Sequence, residues 1–395
     1  MRLWLCIGAA VLATACNPVA TSARTAPVTE GVRELPGADL EALLRADPVL
    51  APLVDDAERR RLQVLVAVPQ EDASGTPFLQ RLGFRVDAEY FYPASAVKLA
   101  VAAAALQKID ETKASPTSPL RIVEREGART RTLDTTVADE VERALVVSDN
   151  DANNRLFELV GREELAERLA GMGLSSTRIV HRLADPGERL SYSFELTGED
   201  KEPILVAQRV GYEAPALPPI AGLLVGSSYV DDSGRLVASP MSFAEKNRVS
   251  LRDLQDLLIA VVRPELSEGV DVRLAPSTRE GLVATLGTLP SESRFKLPRA
   301  LDDVHKPLAS AVAAALPGDR IRVHGKGGRA YGFTIECSYV TNETTGRSVF
   351  VAAVVYANDN DVLNDDRYPY GDVADPFVAR LGRVVARAFL AEETR

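Results

Sequence analysis

Cysteine is almost missing from this chain: of three in 395 residues, Cys6 and Cys16 stand at the extreme N-terminus, and only Cys337 falls in the part that folds. No intrachain disulfide is then available to that part, and Cys337, inside an apolar strand-like run, reads as a small buried hydrophobe. Histidine is equally scarce. His181, His305 and His324 are far apart and lack metal-ligand spacing, so they read as structural or surface residues. Basic blocks are absent too: 46 Lys and Arg face 56 Asp and Glu, for a net charge of -10, which argues against a nucleic-acid partner. Gly325-Lys326-Gly327 lacks the upstream glycine and the following Ser/Thr of a phosphate loop. The acidic run from Asn358 to Asp366 lacks the regular ligand order of a calcium loop and reads as a solvated turn. No internal repeat is present.

Nor is there an apolar run long enough to span a membrane. Leu3 to Ala15 follows Met1-Arg2 and ends in small residues, the pattern of a secretory signal. Leu12-Ala13-Thr14-Ala15-Cys16 is similar to a bacterial lipoprotein box, with Ala13 where leucine is usual. The expectation is a signal over residues 1–16, lipidation at Cys16, and an exported protein in the periplasm or cell envelope that touches membrane only through its acyl chains. Residues 17–38, rich in Ala, Thr, Pro, Val and Gly, read as a tether. Residues 39–395 read as one folded domain.

With 46% hydrophobic residues that domain has ample core. Helices are expected over 40–53, from Leu133 to Val160 with a break at Ser148-Asp149-Asn150-Asp151, over 163–172, 249–262 and 278–286, and over 377–391. Strands are expected over 61–68, ending at Pro69, more weakly over 81–92, and over 320–326, 331–341 and 348–356. The stretch 185–246 is broken by Pro203, Pro215, Pro218, Pro219 and Pro240, and its portion from about 190 to 245 reads as an insertion. Strands near both ends with helices between predict an α+β fold: an antiparallel sheet completed by N- and C-terminal strands, with a mainly helical subdomain between them.

The stretch on which function turns is Tyr90-Phe91-Tyr92-Pro93-Ala94-Ser95-Ala96-Val97-Lys98, followed by an Ala-rich run to Leu106. Pro93 pre-sets a turn, and the run after it has high helix propensity with almost no polar surface. Ser95 and Lys98 then share one face of the first helical turn, where backbone N–H groups lack intrahelical partners. A serine hydroxyl becomes a nucleophile when a neighbouring base takes its proton, and a desolvated lysine can be that base. Spacing alone is weak, since Ser293-Arg294-Phe295-Lys296 repeats it in a polar context.

Two further polar clusters follow: Ser148-Asp149-Asn150 between apolar helices, and Lys326-Gly327-Gly328 after a strand. With Ser95-x-x-Lys98 they stand in the order of the S-x-x-K, S-D-N and K-T-G motifs, and the chain resembles the penicillin-recognising serine hydrolases, most closely class A β-lactamases. The resemblance implies a β-lactamase/transpeptidase-like fold and an acyl-enzyme at Ser95, with Lys98 helping to deprotonate it. Ser148 would pass a proton to the leaving nitrogen, Asn150 would bind the substrate amide, and Lys326, on an inner strand, would attract its carboxylate. Gly328 belongs to the third motif, and the backbone N–H groups of Ser95 and Arg329 would form the oxyanion hole. Asp149 would orient its loop. No metal or organic cofactor is called for, and the implied partner is a small-molecule β-lactam or cell-wall peptide.

Two departures from that pattern stand out. Gly327 removes the hydroxyl that usually helps grip the substrate carboxylate. No segment matches the E-x-x-L-N loop that carries the water-activating glutamate; Glu188 is the nearest substitute, followed by Asp185. Slow deacylation would make the protein a D-alanyl-D-alanine carboxypeptidase-like penicillin-binding protein, the first rival to a β-lactamase. The second rival is a non-catalytic envelope-binding module on the same fold.

Overall fold

The computed structural model describes residues 39–185, 190–198, 200–204 and 206–392. Cys16, the signal, the tether and Glu188 therefore lie outside the described residues. Asp39 caps α1 (Leu40–Arg45), and Pro48 separates it from α2 (Ala51–Asp55), so the single helix expected over 40–53 is two short ones. β1 (Gln63–Glu71) runs on through Pro69 because beyond Ala67 it pairs only with β2 (Pro77–Phe84), which leaves one side of the strand with no donor to satisfy. After Phe84 the chain leaves the sheet, and the strand expected as far as Tyr92 ends there. A 3₁₀ turn over Ala94–Val97 opens α3 (Lys98–Asp110), which is buried from Lys98 to Ile109.

A hairpin of β3 (Pro119–Glu126) and β4 (Arg129–Thr136) follows, then α4 (Val137–Val146), capped by Thr136, α5 (Asn150–Val160) and α6 (Arg162–Gly171). Part of the stretch expected to be irregular is ordered. β5 (Ser191–Thr197) and β6 (Pro203–Ile204) extend the hairpin into an antiparallel sheet of order β4-β3-β5-β6. Four short strands, β7 (Leu224–Val225), β8 (Ser228–Val230), β9 (Leu236–Val237) and β10 (Met241–Ser242), come next. Then come α7 (Leu251–Val262), α8 (Pro276–Gly287), and α9 (Ala300–His305) and α10 (Pro307–Ala315), two helices the sequence reading left unassigned.

The C-terminal third returns to the main sheet with β11 (Ile321–Gly325), β12 (Gly328–Ala330), β13 (Phe333–Asn342) and β14 (Arg347–Tyr356). β15 (Val362–Leu363) pairs with β8, and α11 (Asp375–Val385) closes the fold. The main sheet has the order β11-β13-β14-β1-β2, all antiparallel, with β12 extending β13. Thus strands from both ends of the chain do complete one sheet.

β14 shows why that sheet lies in the middle of the molecule. Val349, Val351, Ala353 and Val355 pack with α1, α2, α10 and α11, while Phe350, Ala352 and Val354 pack with α3, α5 and α7. Alternation puts successive side chains on opposite faces, and both faces are covered, so the strand is apolar throughout. Among the described residues no helix is long and apolar enough to cross a membrane.

Candidate active site

Ser95 stands where α3 begins. Ala94, just before it, has φ +47°, a left-handed conformation that turns the chain from the buried aromatic run into the helix. Below that turn Tyr90, Tyr92, Phe243, Tyr331 and Phe333 form an aromatic cluster, with ring centroids 5.0 to 6.4 Å apart in the successive pairs. The approach is also stapled by Arg61, which donates to the carbonyls of Tyr90 at 2.9 Å and Gly222 at 2.8 Å. Gly328 of β12 lies so close that a Cβ there would sit 2.6 Å from the Ser95 nitrogen and 2.8 Å from that of Ala96. Only glycine lets the strand approach the start of the helix in this way.

Lys98 is fully buried. Its Nζ lies 2.5 Å from the Ser148 carbonyl, 3.2 Å from Ser148 Oγ and 2.7 Å from Asn150 Oδ1. Burial, assisted by the Lys326 charge and only partly offset by Asp149 and Asp151, pushes its pKa down to about 6. An amine so placed is neutral at pH 7 and free to take a proton. Ser148 reaches it because its backbone has φ +56°, which lets both its carbonyl and its hydroxyl approach Nζ. Asp149 is the N-cap of α5, accepting from Asp151 N at 2.8 Å and Ala152 N at 3.1 Å, in keeping with its expected orienting role. Arg155 holds α5 from beneath through buried bonds to Glu140 at 2.7 Å and Glu124 at 3.2 Å.

Lys326 also reaches the site, although not from an inner strand. β11 is an edge strand and ends at Gly325; Lys326 and Gly327 occupy the gap before β12. The Lys326 ammonium donates to the Gly327 carbonyl at 2.6 Å, and burial lowers its pKa to about 7 against the opposing pull of Glu336. Gly327 has no room for a side chain, since a Cβ would lie 2.5 Å from the Ile335 oxygen. The backbone of β12 brings Arg329 beside Ser95, but its guanidinium turns away to Asp375, Thr334 and the face of Tyr370.

Two cavities meet at Ser95. The larger, about 440 Å³, is lined by Asn150, Leu183, Tyr331, Tyr368, Tyr370 and Asp366 among others. Tyr331 and Gly332 form the two-residue turn between β12 and β13 with φ +53° and +84°, the conformation of a type I′ hairpin. The smaller, about 200 Å³, joins Ser95 and Ser148 to Lys326, His305 and Glu336. His305 and Asp366, read from sequence as incidental, thus line the cleft. Asp185 does not line either cavity at Ser95: it is paired with Arg182 at 3.0 Å and borders an adjoining one. The loop before it is tied down by Asn154, which exchanges two 2.9 Å hydrogen bonds with Leu183, and it presents Leu183 and Ala184 to the Ser95 cavity. The decoy Ser293 is buried with its hydroxyl on Pro290, away from Ser95. Sequence reading missed Glu336 altogether, yet an acidic residue in an otherwise apolar strand was the signal.

Residues 83–268 match the model of the Beta-lactamase enzyme family, a span that contains Ser95, Lys98, Ser148 and Asn150 and ends before Lys326. A β-lactamase from Desulfarculus baarsii DSM 2075 superimposes with a TM-score of 0.52, covering 89% of this chain and 98% of its own at 16% identity. The fold is β-lactamase/transpeptidase-like. Other structures similar to this β-lactamase/transpeptidase-like chain are a representative of class A β-lactamase from Bacteroides cellulosilyticus DSM 14838 and a β-lactamase from Xanthomonas campestris pv. campestris. The first has 13% identity and a TM-score of 0.49, covering 89% of this chain and 98% of its own. The second has 16% and 0.48, covering 88% and 98%. No curated protein sequence matches the chain.

Proposed function

We propose that this protein is a serine hydrolase that opens β-lactams through an acyl-enzyme at Ser95. The observation that carries the reading is the buried Lys98 amine, one helical turn from Ser95 and within 3.2 Å of Ser148 Oγ. Lys98 accepts the Ser95 proton as Oγ bonds to the lactam carbonyl carbon, and the charge that develops on the carbonyl oxygen is met by the N–H groups of Ser95 and Arg329. The C–N bond then breaks. Its nitrogen takes the Ser148 hydroxyl proton, and Ser148 recovers one from the ammonium now on Lys98. Water releases the acyl group by adding to the ester carbon, and its proton restores the Ser95 hydroxyl.

The wall of Leu183 and Ala184 favours a second reading. On the side of the cavity formed by the loop before Asp185 the described residues offer apolar side chains and no carboxylate, which suits a long-lived acyl-enzyme of the D-alanyl-D-alanine carboxypeptidase-like kind. A time course of intact-protein mass spectrometry with a penicillin, with Ser95→Ala beside it, tests both. A transient adduct with turnover supports hydrolysis, and a persistent one the second reading. No adduct on the folded protein sinks both β-lactam readings and leaves either a different amide or ester substrate or the envelope-binding module. We also propose, from sequence, that Cys16 is lipidated; Cys16→Ser would then release the protein from the membrane fraction.

A further inference from the structure

The smaller cavity at Ser95 contains a buried carboxylate of the protein's own. Glu336 is 4% exposed and lines the cavity together with Ser95, Ser148 and Lys326. It projects from β13 on the stretch that faces the gap between β11 and β12, since Gly325 pairs with Ser338 and Gly328 with Ile335. The Ser338 hydroxyl donates to its carboxylate and fixes it there.

The lysine and arginine side chains around this cavity each have a partner within the protein. Lys326 donates to the Gly327 carbonyl at 2.6 Å and feels the Glu336 charge. Arg329 bonds to Asp375 and Thr334. Lys306, behind β11, points to the carbonyls of Leu286 and Val323. Burial, with the neighbouring Lys326, lowers the His305 pKa below its usual value. The hydroxyl that would reinforce anion binding is missing at Gly327, and the Ile335 oxygen leaves no space to restore it.

We infer that this part of the cleft receives an uncharged group, such as an ester or a carboxamide, in place of a substrate carboxylate, and that Glu336 sets this preference. A carboxylate placed here stands beside the Glu336 carboxyl, whose ionisation burial already disfavours and whose nearest counter-charge, Lys326, it would have to share, whereas an ester or amide adds no charge and can bond to the hydroxyls of Ser148 and Thr334. Glu336 acts on specificity and takes no part in bond making. The inference rests on acyl transfer at Ser95, and it narrows the substrate class to amides and esters with a neutral group beside the scissile bond.

The test compares a chromogenic cephalosporin bearing its free carboxylate with the same compound as its methyl ester, reading the second-order rate of Ser95 acylation. The ester is expected to acylate the unmodified protein at least as fast as the free acid. In Glu336→Gln the free acid should gain about tenfold while the ester changes less than about twofold, the tenfold corresponding to about 1.4 kcal/mol. A free acid that is tenfold faster in the unmodified protein, or equal responses of both compounds in a folded Glu336→Gln, would overturn the inference. The ratio in the unmodified protein decides the matter if that variant does not fold. Should neither cephalosporin react, the β-lactam reading fails, and a depsipeptide whose leaving lactate ends in carboxylate or in carboxamide makes the same comparison. Preference for the carboxamide keeps the inference without the β-lactam reading; preference for the carboxylate, or no reaction with either, ends it.

Discussion

Lys98 and Lys326 are both buried at one serine, both have a pKa pushed far below the ordinary lysine value, and they owe this to different surroundings. Around Lys98 the acceptors are neutral: the Ser148 carbonyl and hydroxyl and the Asn150 amide. Around Lys326 the nearest counterweight is the Glu336 carboxylate. A lone amine among neutral acceptors can gain and lose a proton cheaply, which suits a base. An amine whose charge is partly offset by a nearby carboxylate has less field left for a substrate. On the proposed reading the first motif does chemistry, and the other shapes the pocket.

The most forceful way to break this comparison is Lys98→Met, which removes the base while keeping the volume. Acylation of Ser95 should fall about 10²- to 10⁴-fold, as measured by adduct formation. The same variant should be more stable than the parent. The folded-state pKa of Lys98 is about 6 against an unfolded value near 10.5, so the cost of burying it is full below pH 6 and fades as pH rises toward 10.5. The stability advantage of methionine, measured by urea unfolding, should shrink over that window; an advantage that grows with pH would contradict the neutral-amine picture. Between these in size is Gly328→Ala, which drives a methyl against the backbone of Ser95 and should cost about 1–3 kcal/mol of stability together with most of the acylation rate.

Two smaller effects sharpen the contrast. Acylation by an uncharged substrate should rise about tenfold per pH unit up to about pH 6 and then level off, because Lys98 must be neutral to act. A rate that climbs instead through pH 10 would mean that an ordinary exposed lysine serves as the base. Finally, Lys326→Met and Glu336→Gln should be coupled: the double variant should be less destabilised than the sum of the singles by about 0.5–3 kcal/mol, since either single change leaves a buried partner uncompensated. Simple additivity would show that the two groups do not sense one another.

Much of the site was legible because its signals are local. Ser95 and Lys98 share a turn by spacing, Ser148 and Asn150 flank an N-cap, and Lys326 follows a strand; each position follows from a few neighbouring residues. The order of strands and helices was legible for the same reason, through periodicity over short windows. β5 was missed because its reason to exist is the distant partner β3, and the helix expected from Leu133 begins later because Leu133–Thr136 pairs across a hairpin. Pro69, read as a strand end, is tolerated because of what β1 lacks as a neighbour.

By itself the sequence determined a buried Ala-rich helix with a serine and a lysine in its first turn, a glycine where β12 must approach it, and an apolar sheet that needs cover on both faces. Those follow from propensity, spacing and the steric needs of single residues. Only the tertiary structure decided that Glu336 lines one cavity with Lys326, that the Arg329 guanidinium is spent on Asp375, and that Leu183 and Ala184 rather than Asp185 line the Ser95 cavity. These depend on which strands and loops meet in space, and the energy of a charge is set by its neighbours in three dimensions.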